Sequence, residues 1–340
     1  MNKLSMNAMN RNQQFRIKRK GNDYMQLIIK PTGKCNFNCT FCSAKYLDIK
    51  HSSTEVHPHI KRFIEDNKPK NIIVTGGEPL MTSPEYYYNL HNISNCNISL
   101  TTNLKDFYNN PNKWKDLFNE PWMFIGTSFN YGSSRRWDPN TVYDEKMFLR
   151  IVDKFYKYTN KSSLNFIAVI DYDNEDLAID HVYLAKKING IVKLNNALEE
   201  GLQDHTYPRY RMYQIYLKII ELGLDKYESN CIDRKNNKCP KNLRFNCGSN
   251  IRCIYVDSND KLHTGICDSM LSIGNEITCE GDIRNYIEPD EYISPKCAYC
   301  ELFYLCNGCY MNRSAARKDP KYCDEMKKIE VQIIKNGWLL

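Results

Sequence analysis

Between residues 25 and 194, six β-rich runs alternate with six amphipathic stretches, and no other feature constrains the fold as tightly. The predicted strands are 25–30, 71–75, 97–102, 122–129, 164–170 and 190–194. The predicted helices are 40–46, 57–66, 84–91, 111–118, 144–158 and 177–187. Repeated strand–helix–strand steps imply a parallel sheet with right-handed crossovers, hence an α/β fold. An open partial (β/α)6 barrel of the TIM type and a flat doubly wound sheet satisfy this pattern equally well. A further amphipathic helix, 207–222, closes a first domain spanning 25–225.

Beyond it the composition changes. Residues 231–323 hold eleven of the fifteen cysteines and show little helical period. A hairpin is expected over 251–256 and 261–266, turned by Asp257-Ser258-Asn259-Asp260. A closing helix is expected over 324–334, so 226–340 reads as a second, cysteine-rich domain. Disulfide scaffolds are short, secreted chains, whereas this one has 340 residues and no apolar stretch of the signal-peptide kind in its first twenty. Clustered thiols in such a chain point to metal. No apolar run approaches the ~20 residues of a membrane span, and a cytoplasmic location is expected. The formal net charge is +7, with Lys3, Arg11, Arg16, Lys18, Arg19 and Lys20 crowded into a basic segment, 1–24. That segment reads as a solvated tail or as an arm for an acidic peptide or nucleic acid; nothing else in the chain favours nucleic acid.

The chemistry starts directly after the first strand, in Cys35-Asn-Phe-Asn-Cys39-Thr-Phe-Cys42. Three thiolates on one loop can hold three irons of a cubane and leave the fourth open to a small chelating molecule. Electron-carrier cubanes take four cysteines; a zinc site completed by a distant residue is the alternative. Gly76-Gly77-Glu78-Pro79 follows the second strand. Its glycines allow close backbone approach to a ligand, and its carboxylate suits an ammonium group. Thr102 and Asn103 end the third strand, and Ser128 and Asn130 the fourth, all at the carboxyl ends where α/β folds build their sites.

CxxxCxxC followed by GGEP resembles the radical S-adenosylmethionine (SAM) superfamily, whose members share a partial (β/α)6 barrel. The resemblance implies that Cys35, Cys39 and Cys42 ligate a catalytic [4Fe–4S] cluster whose open iron binds SAM, cleaved to a 5′-deoxyadenosyl radical. It implies that Phe41 lies near the adenine, that Gly76, Gly77 and Glu78 hold the methionine amino group, with Asn103 beside them, and that Ser128 meets the ribose. A basic group is expected on the methionine carboxylate, with Arg135, Arg136 and Arg150 as candidates and Arg136 preferred. An electron donor such as flavodoxin or ferredoxin is also implied.

The later cysteines resemble the SPASM extension of such enzymes, known from anaerobic sulfatase-maturating enzymes and peptide maturases. By resemblance, Cys247, Cys253, Cys267 and Cys309 bind an inner auxiliary [4Fe–4S] cluster, and Cys297, Cys300, Cys306 and Cys323 an outer one, three clusters in all. One spacing departs from the pattern: x2 separates Cys306 from Cys309 where x3 is usual. A pair of zinc sites is the alternative. Asp268, next to Cys267, corresponds to the proton acceptor of sulfatase maturation or is a fixture of the turn. Cys96 reads as a small apolar residue, and Cys231 and Cys239 as spare ligands at most. The expected reaction is hydrogen abstraction from a peptide or protein residue, giving oxidation or crosslinking. Radical oxidation of a small molecule such as an aminosugar, and a non-catalytic electron carrier, are the competing readings. About 24 residues precede the first strand, too few for a leader-binding domain, so any leader binder is expected to be a separate protein.

Overall fold

The computed structural model describes residues 26–197, 207, 209–235, 251–265, 300 and 321–335. Strands β1 (Gln26–Lys30), β2 (Asn71–Val74), β3 (Asn97–Thr101), β4 (Met123–Ser128), β7 (Asn165–Ile170) and β8 (Val192–Asn196) run parallel, joined in that order. Between β4 and β7 stands a separate small hairpin, β5 (Arg136–Asp138) and β6 (Thr141–Val142). β9 (Ile251–Val256) lies parallel to β1 on its other side, and β10 (Leu262–Gly265) runs antiparallel to β9. The hairpin expected in the cysteine-rich region is therefore continuous with the main sheet, whose order is β10-β9-β1-β2-β3-β4-β7-β8.

Helices α1 (Pro58–Asn67), α2 (Pro84–Ser94), α3 (Lys105–Asn109), α4 (Pro111–Asn119), α5 (Glu145–Tyr158), α6 (Ala178–Lys187), α7 (Arg209–Glu221), α8 (Ser229–Lys235) and α9 (Tyr322–Lys335) complete the described elements. Strand residues alternate between faces. Leu27, Ile29, Ile72, Val74, Ile98 and Leu100 are fully or almost fully buried in the core. In the same core, α5 buries Phe148, Ile151, Val152 and Phe155 at i, i+3, i+4 and i+7, each worth roughly 1.5–3 kcal/mol of apolar transfer. Its start is fixed by Asp144, whose carboxylate accepts from Met147 N–H at 2.8 Å.

Two local expectations are corrected. The helix over 40–46 shrinks to a 3-10 turn at Ser43–Tyr46 because Cys42 is extended; ahead of it, Thr40 N–H donates to Ser134 C=O. Ahead of α4 a separate short helix forms, and Pro111 at the first turn of α4 marks the break. The hairpin turn forms as read: Asp257 Oδ1 accepts from Asn259 and Lys261 N–H, while Asp260 takes the left-handed conformation.

Candidate active site

The loop after β1 carries Cys35, Cys39 and Cys42, and neighbouring strand ends grip it at several points. After β2, Gly77 N–H donates to Thr32 C=O at 2.9 Å and Glu78 N–H to Lys34 C=O at 2.7 Å. A Cβ on Gly77 would stand 2.3 Å from Lys34 O, and one on Gly76 would stand 2.7 Å from Thr32 O, with Gly76 already at φ +133°. The paired glycines thus serve the close approach of the cysteine loop itself. On the opposite flank Asn38 N–H donates to Arg136 C=O (3.0 Å) and Thr40 N–H to Ser134 C=O (2.9 Å). After β3, Asn103 Nδ2 donates to Asn36 Oδ1 at 2.8 Å.

Glu78 is buried beneath this loop. Its Oε1 accepts from Leu80 N–H (2.9 Å) and Thr102 Oγ1 (2.5 Å), and its Oε2 accepts from Asn103 N–H (2.7 Å). Burial pushes its carboxyl up to about 7 against the pull of these donors. The carboxylate ties the ends of β2 and β3 together and holds Asn103 against the cysteine loop.

Past β4, Arg135 is buried with its guanidinium 5.0 Å from the Phe41 ring centroid. It donates through Nε to Asn130 Oδ1 (2.9 Å) and through Nη1 to Ser128 Oγ (3.0 Å). Phe41 and Ser128 are therefore brought together through a cation that the sequence names only as one of three arginines. Arg136 donates Nη1 to Pro139 C=O, while its buried Nε has no hydrogen-bond partner among the described residues. Arg150 is exposed on α5.

The three thiols are close enough for charge on one to disfavour charge on the others. Cys35 has solvent on one side and chain on the rest; that desolvation pushes its thiol up to about 12, outweighing the Phe37 N–H that donates to Sγ at 3.4 Å. Burial also raises Cys39, opposed by the Arg135 charge. Metal binding at such thiols must displace protons. No three His, Cys, Asp or Glu side chains among the described residues converge on one point as ligands of a single ion would. Three thiols on one loop supply one thiolate to each of three irons, so Cys35, Cys39 and Cys42 fit a [4Fe–4S] cluster with one iron left open.

Cys253 lies on β9, fully buried, in a patch with Tyr255, Ile28 and Ile49. Cys323, the second residue of α9, is half-buried against the Tyr322 and Met326 cluster, and Cys300 is half-buried. Cys96 and Cys231 are buried, Cys231 with its N–H donated to Glu228. Cys247, Cys267, Cys297, Cys306, Cys309, Asp268 and the segment 1–24 lie outside the described residues. Sequence reasoning passes over Lys105, which contacts the cysteine loop; a lysine opening a helix reads as a solvated group, and only the tertiary structure shows otherwise.

Residues 29–183 match the family model of the radical SAM superfamily. In fold the chain is similar to anSMEcpe with bound AdoMet and the Cp18Cys peptide, at TM-score 0.63 and 17% identity over 92% of this chain and 97% of that one. It is also similar to Streptococcus suis SuiB bound to its precursor peptide SuiA, at TM-score 0.54 and 15% identity over 91% and 76%. No curated protein sequence matches the chain.

Proposed function

We propose that this protein is a radical SAM enzyme that abstracts hydrogen from a peptide or protein side chain, with its main sheet acting as an open partial barrel and a SPASM-type extension beyond it. The observation that carries the reading is the three-thiol loop clamped between Gly76-Gly77-Glu78 and the segment 134–136. A [4Fe–4S] cluster and SAM, when bound, supply reductive carbon–sulfur cleavage and with it a hydrogen-abstracting radical.

The chain's own groups bind and orient. Glu78 presents a buried carboxylate at the strand ends, suited to the methionine ammonium. Arg136, with its unmet Nε donor, takes the methionine carboxylate. Ser128, accepting from Arg135, keeps its own proton to donate to the ribose, and Phe41 backs the adenine. Asp268 is the proposed proton acceptor, and the eight later cysteines the proposed auxiliary ligands. Peptide as substrate is supported by the two proteins of similar fold, each of which holds a peptide.

Anaerobically reconstituted protein should release 5′-deoxyadenosine from SAM under dithionite, read by chromatography. Cys35→Ala, Cys39→Ala and Cys42→Ala should each reduce release to background, and Arg150→Ala should not change it. Wild-type release from the triple variant overturns the assignment. Incubation with peptides encoded beside the gene, read by mass spectrometry, should show loss of two hydrogens.

A further inference from the structure

Lys105 is the first residue of α3, immediately after the polar end of β3, and its side chain runs back towards the cysteine loop instead of out to water. Its Nζ donates to Asn36 C=O at 3.1 Å and to Trp137 C=O at 2.7 Å. Asn36 is the neighbour of Cys35; Trp137 lies on β5, the strand that begins where the cysteine loop is laddered. The ammonium also sits 4.4 Å from the Trp137 ring centroid and 5.8 Å from that of Phe37. Phe37 and Trp137 are themselves in contact, with centroids 5.4 Å apart. One lysine therefore joins three segments: the turn after β3, the cysteine loop and the β5 hairpin.

The backbone is shaped to deliver it. Leu104 is fully buried and left-handed at φ +60°, a conformation that an L side chain adopts only when its surroundings compel it. Asn103 Oδ1 accepts Lys105 N–H at 2.9 Å, so the same asparagine that grips Asn36 also starts the helix. Its close acceptors are both carbonyls, and the nearest opposing carboxylate, Asp138, attracts the ammonium from beyond ion-pairing distance. The positive charge thus stands without a direct ion pair among the described residues, in surroundings drier than water, beside the loop that carries Cys35.

We propose that Lys105 is a positioning residue that clamps the cysteine loop and holds a fixed positive charge against the cluster it carries, easing that cluster's one-electron reduction. The inference rests on the radical SAM reading above. The step moves one electron from an external reductant onto the cluster and neither makes nor breaks a covalent bond. Adding negative charge beside a fixed cation is favoured, so removing the cation lowers the equilibrium constant for reduction.

The test is an anaerobic redox titration of reconstituted protein with dithionite, followed by electron paramagnetic resonance without SAM, in a background where Cys297 and Cys323 are Ala to simplify the spectrum. Lys105→Gln keeps a hydrogen-bond donor but no charge; Lys105→Arg keeps both. The Gln variant should show a reduction constant about tenfold lower than the parent, a midpoint about 59 mV more negative for a one-electron couple. The Arg variant should stay near the parent. Equal midpoints in parent, Gln and Arg proteins, with equal cluster content, overturn the proposal. Lys105→Met, lacking donor and charge, should take up less iron than Gln; if Gln and Met take up iron equally, the clamp is overturned. A parent protein that assembles no cluster on Cys35, Cys39 and Cys42 refutes the radical SAM reading itself, an outcome distinct from equal midpoints.

Discussion

His181 is buried with both ring nitrogens committed. Nδ1–H donates to Leu177 C=O at 2.8 Å, and Nε2 accepts from Tyr131 N–H at 2.9 Å. That pattern holds only for the neutral ring, since a second proton would set two N–H groups against each other. Burial pulls its pKa down to about 4 from 6.5, with the Arg135 charge adding to the effect. The unfolded chain therefore binds the extra proton between pH 6.5 and 4 and the folded one does not, so stability is full above 6.5 and declines as pH falls. The integrated loss is about 3 kcal/mol. Glu78 works in the opposite sense: its folded pKa is raised to about 7 from 4.5, so its contribution is present below 4.5 and is lost as pH rises through 7. A wild-type curve alone mixes the two. The difference between wild type and His181→Gln in urea denaturation isolates the histidine, and it should shrink by about 3 kcal/mol from pH 7 to pH 4. Parallel curves would contradict the buried neutral imidazole.

At the scale of elements, the cysteine loop shows what the sequence displays and what it hides. Its thiols, the glycine pair and the strand ends are visible because their chemistry is local and their spacing short. The six strands of the βα pattern form within a residue or two of expectation, since most bury alternate apolar side chains that the sequence shows directly; β4, which buries Met123 and Thr127, is the exception. Hidden is everything decided by partners far along the chain. Residues 40–42 look helical, yet Thr40 N–H goes to Ser134, 94 residues away. β9 reads as a hairpin strand of a later module, yet its parallel partner is β1. Nor does a glycine pair reveal whether it faces a ligand or a backbone. Here a Cβ at either glycine would press on backbone, and Gly77→Ala tests the point: its methyl would meet the Lys34 and Gly33 carbonyls. Overpacking of this kind costs typically 1–3 kcal/mol. The variant should lose about that much stability in denaturation and take up several-fold less iron on reconstitution. Wild-type iron uptake would show that the loop can shift without consequence.

For the whole molecule, the cysteine-rich stretch is flanked by two elements packed on the first domain, one on the sheet and one on α7. It follows β9 and β10, which extend the sheet beside β1, and it leads into α9, which packs on α7 through Tyr322 against Tyr210. Cys253 and Cys323, assigned by resemblance to the two auxiliary sets, sit on these two elements. Thiolate pairs of the CxxC type serve zinc as readily as iron, so the fold alone does not choose between them. Metal content does. Three cubanes need about twelve irons and as many sulfides per chain, and anaerobically purified protein should approach that figure with little zinc. Cys297→Ala with Cys323→Ala should bring iron to about eight, because each belongs to the same proposed outer cluster, while release of 5′-deoxyadenosine from SAM persists. The triple alanine variant of Cys35, Cys39 and Cys42 should also retain about eight irons but release none. Two variants with the same iron count and opposite activity would separate the catalytic thiols from the auxiliary ones. Stoichiometric zinc with about four irons would instead confine iron–sulfur chemistry to the loop after β1.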